Sequence, residues 1–84
     1  MPDLPASFEQ AAAKARVVQG VSNDNKLKLY GLFKQATQGP IGDRPRPSFF
    51  YLTDCAKFDA WAALGEKMDK ETAMTEYVAL VATL

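Results

Sequence analysis

Histidine is absent from all 84 residues. That removes histidine metal sites, Ser–His–Asp and Cys–His catalysis, and the commonest general base. Cysteine occurs once, at Cys55, which excludes an internal disulfide framework. Neither sign of charge is in excess: ten Lys and Arg balance ten Asp and Glu, for a formal net charge of 0. The basic surplus typical of nucleic-acid binding is missing, and no nucleic-acid partner is expected. Long hydrophobic runs are missing too. No apolar stretch approaches the ~20 residues that span a bilayer, so membrane insertion is not expected. The opening MPDLPASFEQ lacks a basic segment followed by an apolar run, unlike a signal peptide. A cytoplasmic protein is the expectation. There is no internal repeat, no low-complexity segment and no alternating strand pattern.

What is present is helical periodicity. With 48% apolar and 24% charged residues, the composition is that of a globular protein, and a length of 84 suggests one domain spanning residues 1–84. Turn residues divide the chain at Gly20–Asp24, Gln38–Pro47 and Gly65–Asp69. Four amphipathic helices are expected between them, at about 7–19, 23–37, 54–64 and 70–83. Ser7 with Gln10 fits a capping box. Ser22 or Asn23 would cap the second helix, Thr53 or Asp54 the third, and Asp69 the fourth. This pattern implies an all-α bundle of four helices. The connection over residues 38–53 is long and carries Phe49, Phe50, Tyr51 and Leu52. A loop with its own aromatics is expected to pack down.

Several residues stand at odds with a plain amphipathic reading. At ~100° per residue, Leu29, Leu32, Phe33 and Ala36 share the core arc of the second helix. Leu27, Tyr30 and Lys34 form a neighbouring arc, while Lys28, Gly31 and Gln35 fall on the far side. On the third helix Lys57 lies within the apolar arc of Phe58, Ala60, Trp61 and Leu64. Its stem should run along Trp61, with Asp54 as a possible partner. Arg16 borders the apolar face of the alanine-rich first helix near Ala12, and Tyr77 is central in the stripe of the fourth. Cys55 faces away from Lys57 and Trp61 and has no activating partner. Singly, these are border residues that snorkel to water. Together, the first three helices each carry a cation at an apolar border, and the second, third and fourth supply Tyr30, Trp61 and Tyr77. If those borders meet, they form a cationic, aromatic pocket beside an apolar groove. That suits a ligand with phosphates, a base to stack and an apolar tail.

Three motifs then resemble a known family. LKLYGLFKQATQG at 27–39 is similar to LxxYxxYKQATxG, AKFDAW at 56–61 to AKWDAW, and KETAMTEYV at 70–78 to KExAMxxYI. These are motifs of the acyl-CoA-binding protein family, and the resemblance covers nearly the whole chain in order. It implies an up-down-down-up four-helix bundle that binds fatty acyl-CoA esters without covalent chemistry. Such a protein is an intracellular carrier and pool former for medium- or long-chain acyl-CoA, with no cofactor, and hands its ligand to acyl-CoA-using enzymes. A monomer is the simplest state. By this resemblance Tyr30 would meet the adenine and ribose phosphate, and Lys34 and Lys57 would neutralise the 3′-phosphate. Tyr77 would close the nucleotide site and Arg16 would stand near the phosphates. Ala12, Leu27 and Leu29 would line the groove. Phe33 replaces a tyrosine of the motif and lacks its hydroxyl. The rival reading is a helical interaction module of the same fold, with weak or no acyl-CoA binding and Phe49–Leu52 as its contact surface.

Overall fold

The helices begin where capping chemistry frees their first N–H groups from water. The Ser22 hydroxyl accepts from the Asn25 N–H at 3.1 Å, and the Asp69 carboxylate accepts from the Thr72 N–H at 2.7 Å. In the computed structural model, which describes residues 4–84, these caps open α2 (Asn23–Gln38) and α4 (Lys70–Ala82). The first three residues of MPDLPASFEQ lie outside the described residues.

The other two starts differ from expectation. α1 (Leu4–Val17) takes Pro5 into its first turn, where a missing N–H costs nothing. Ser7 and Gln10 are therefore inside the helix and form no capping box. α3 (Leu52–Ala62) starts after Tyr51, with no side-chain cap; Thr53 and Asp54 sit in its first turn instead. A tight turn sets that entry, with the Tyr51 N–H donating to the Ser48 carbonyl at 2.9 Å. α2 stops at Gly39, whose φ of 82° suits glycine and whose N–H closes on the Gln35 carbonyl.

The four helices form an all-α bundle of up-down-down-up topology. α4 packs against α1 and α2, and α2 packs against α3. The spatial order is thus α1, α4, α2, α3. Phe8, Leu29, Leu32, Ala36, Ala73, Tyr77 and Val81 are central to the core.

Because α2 has packed neighbours on two sides, its far side is buried at Gly31 and Gln35, and only Lys28 of that arc stays exposed. Gly31 is buried: a Cβ there would stand 2.8 Å from the Ala60 carbonyl oxygen, so α2 and α3 touch backbone to backbone. Gln35 is 0% exposed. Its amide donates to the carbonyls of Gly65 at 3.0 Å and Met68 at 2.7 Å, fastening α2 to the α3–α4 loop. A wheel drawn for one packing face misplaces both residues.

The long connection is half anchored. Ile41 is buried, and the Trp61 indole N–H donates to the Gly39 carbonyl at 3.0 Å. Arg46 grips both carboxylate oxygens of Asp59, at 3.0 and 2.9 Å. The buried Cys55 thiol donates to the carbonyls of Pro47 and Ser48. Beyond these anchors the aromatics do not pack down. Phe49, Phe50, Tyr51 and Leu52 are 70%, 78%, 62% and 76% exposed.

Candidate functional site

Tyr30 stands at the junction of α2 and α3, half-buried. The Lys57 ammonium, delivered from α3, lies 5.4 Å from its ring centroid. The Lys34 ammonium, one turn further along α2, lies 5.8 Å from the same centroid. Lys57 does not pair with Asp54, and its ammonium lies over Tyr30 rather than Trp61. The reason is tertiary: the close α2–α3 approach at Gly31 and Ala60 brings the phenol within reach. The cation over Trp61 is Lys34, at 5.8 Å, joined by the Arg44 guanidinium at 4.8 Å. Among the described residues the one ion pair joins Arg46 and Asp59. Lys34, Lys57 and Arg44 are thus cations held against aromatic faces without a carboxylate partner, an arrangement open to an anion.

Two clefts meet at Tyr30. One, of about 290 Å³, is lined by Ala12, Ala15, Arg16, Lys26, Leu29, Tyr30, Phe33 and Tyr77. The other, of about 430 Å³, is lined by Asn23, Lys26, Leu27, Tyr30, Leu52, Thr53, Ala56 and Lys57. The first brings together Ala12, Arg16, Leu29, Tyr30, Phe33 and Tyr77. The second brings together Leu27, Tyr30 and Lys57. Lys34 lines neither and joins the group through the Tyr30 ring. Phe33 stacks on Phe8 at 5.6 Å and leans on Tyr77 at 6.2 Å, so the ring in the tyrosine's place serves packing. Tyr77 meets Phe8 edge-on at 5.0 Å and is 5% exposed. Burial raises the pKa of its phenol, and the positive charge of Arg16 opposes that rise in part.

Lys26 and Arg44 escape the sequence reading. Lys26 lines both clefts and lies one turn before Tyr30, so the spacing 26, 30, 34 was its signal. Arg44 sits in an irregular loop, where no periodicity could place it over Trp61. No group of three or more His, Cys, Asp or Glu side chains that could hold a metal occurs among the described residues. The arrangement offers a stacking face, cations without counterions and adjoining apolar walls.

A family model described as "Acyl CoA binding protein" matches residues 5–81. The chain belongs to the acyl-CoA-binding protein family. It is 45% identical to an acyl-CoA-binding protein of Ricinus communis over 82 residues, covering 96% of this chain and 89% of that one. It is 48% identical over 82 residues to acyl-CoA-binding domain-containing protein 1 of Oryza sativa subsp. japonica, covering 96% and 88%. The crystal structure of Oryza sativa acyl-CoA-binding protein 2 superposes with a TM-score of 0.90 at 46% identity, over 98% of this chain and 90% of that one. The matched family is described by binding rather than by a reaction, and this chain is a binding protein, not an enzyme.

Proposed function

We propose that residues 1–84 form an acyl-CoA-binding domain that takes up medium- and long-chain fatty acyl-CoA and acts as a cytoplasmic carrier and pool former. One observation carries the reading: Tyr30, between two unpaired ammonium groups, stands where two clefts meet. In this reading the adenine lies against Tyr30 and the 3′-phosphate takes Lys34 and Lys57 as its counterions. Arg16 serves the phosphates from α1, while Tyr77, Phe33, Ala12 and Leu29 wall the nucleotide cleft. The acyl chain runs along Leu27 into the cleft it shares with Leu52 and Ala56. Charge-assisted bonds orient the nucleotide. Burial of the chain at ~0.8 kcal/mol per CH₂ makes affinity grow with chain length. The chain works as a monomer and releases its ligand to acyl-CoA-using enzymes.

Calorimetry with a long-chain acyl-CoA, free coenzyme A and a free fatty acid tests this. The acyl-CoA should bind far more tightly than either half. Trp61 emission should follow the titration, because Lys34 lies over its ring. Absence of saturable acyl-CoA binding would refute the carrier and favour an interaction module.

A further inference from the structure

The turn that enters α3 presents four consecutive apolar side chains to solvent. Phe49, Phe50, Tyr51 and Leu52 are each at least 62% exposed. Consecutive side chains point in different directions, so exposure of all four means that the segment protrudes. It is also held in place. The Arg46–Asp59 pair, the Cys55 thiol on Pro47 and Ser48, and the Tyr51 N–H on Ser48 fix its base. Phe49 and Phe50 stack on each other at 4.3 Å. A fixed, convex aromatic tip is costly to leave in water, and such patches mark contact surfaces.

We propose that Phe49–Leu52 is a docking tip for a zwitterionic phospholipid surface, on which the protein sits without spanning it. Three observations favour a bilayer over a protein. The four side chains offer on the order of 500 Å², short of the ~800 Å² per partner in a standard protein interface. A convex tip enters a deformable headgroup layer, whereas a protein would need a matching cavity. Phenyl rings beside a phenol bearing a polar handle suit the boundary between acyl chains and water. The flanking charges are mixed: Asp43 and Asp54 offset Arg44 and Lys57, and Arg46 is already paired. The contact is therefore apolar and needs no anionic lipid. Leu52 belongs both to the tip and to the wall of the cleft beside Tyr30. A docked molecule holds that cleft near the bilayer, where an acyl amphiphile partitions. This purpose rests on the acyl-CoA reading; the docking itself does not.

The test uses the ligand-free chain and phosphatidylcholine vesicles, read by flotation at low and high salt. The protein should bind at both. Phe49→Ser with Phe50→Ser should lower partitioning at least ~tenfold. Neither residue lines the two clefts that meet at Tyr30, so that variant should keep its acyl-CoA calorimetry and melting temperature. Phe49→Trp should bind vesicles with a blue-shifted emission quenched by brominated lipid, which also decides the case if the double variant misfolds. No vesicle binding by the wild type, equal binding by a folded double variant, or an unshifted Phe49→Trp would overturn the proposal. So would binding that requires anionic lipid and disappears in high salt. If the wild type ignores vesicles yet binds a purified acyl-CoA-using enzyme through these two residues, the tip is a protein contact and the proposal fails. Loss of acyl-CoA binding by the wild type would refute the carrier reading and leave the vesicle result standing.

Discussion

At the scale of single residues, the notable pairing is of two like charges on one ring. Lys34 and Lys57 both lie within 6 Å of the Tyr30 centroid. Their mutual repulsion costs the empty site, and a bound phosphate relieves it. Lys34→Ala and Lys57→Ala should therefore each weaken acyl-CoA binding by about 1.5–3 kcal/mol, roughly ten- to hundredfold. Calorimetry should show much smaller losses with the 3′-dephospho ligand; equal losses would exclude the phosphate contact. Tyr77 supplies a pH signature. Its folded pKa lies above the ordinary phenol value, because burial disfavours the phenolate. The folded state thus binds its proton more tightly than the unfolded chain does. That stability is intact below about pH 10 and is lost as pH climbs through the folded value. Denaturant melts at rising alkaline pH should fall more steeply for the wild type than for Tyr77→Phe.

At the scale of elements, α2 is the organising helix, and Gly31 sets its distance from α3. Alanine is the better helix former by ~1 kcal/mol, but its Cβ would meet the Ala60 carbonyl, part of the backbone, at 2.8 Å. Overpacking costs about 1–3 kcal/mol, so Gly31→Ala should be net destabilising. It should also move Lys57 away from Tyr30. Urea melts and acyl-CoA affinity should both decline; a more stable variant with unchanged affinity would show that α3 shifts freely.

What was legible in the sequence divides along the same line. α2 and α4 announce their starts through Ser22 and Asp69, because a side-chain cap is local chemistry. The starts of α1 and α3 differ from expectation: α1 opens with a proline in its first turn and α3 follows an uncapped tyrosine. The periodicity placed Tyr30, Lys34 and Leu27 on one arc. It could not say that Lys57 would meet Tyr30, since that depends on how closely α3 approaches α2. Gln35 and the Phe49–Leu52 turn were misplaced in opposite senses. The polar residue is buried because two carbonyls await it, and the apolar turn is exposed because its neighbours, not its own rings, are anchored.

At the scale of the whole molecule, the helices spread into a shallow slab of 42 × 30 × 14 Å. The two clefts that meet at Tyr30 draw on α1, α2, α3 and α4 together. A ligand filling both joins all four helices and binds only the folded chain. At a free concentration of 100 times Kd, such binding adds about 2.7 kcal/mol. A domain of this size gains ~4–8 °C per kcal/mol, so a saturating long-chain acyl-CoA should raise Tm by roughly 10–20 °C. Free fatty acid should raise it far less in the same thermal scan.

The contact of Phe8 with Tyr77 joins the first helix to the last. During synthesis α1 emerges long before α4, the helix along which it packs. The core therefore closes in a single late step, once α4 has left the ribosome. A growing chain stalled before that point would expose Phe8, Leu29 and Leu32 together, making it a substrate for chaperones rather than a partly working binder.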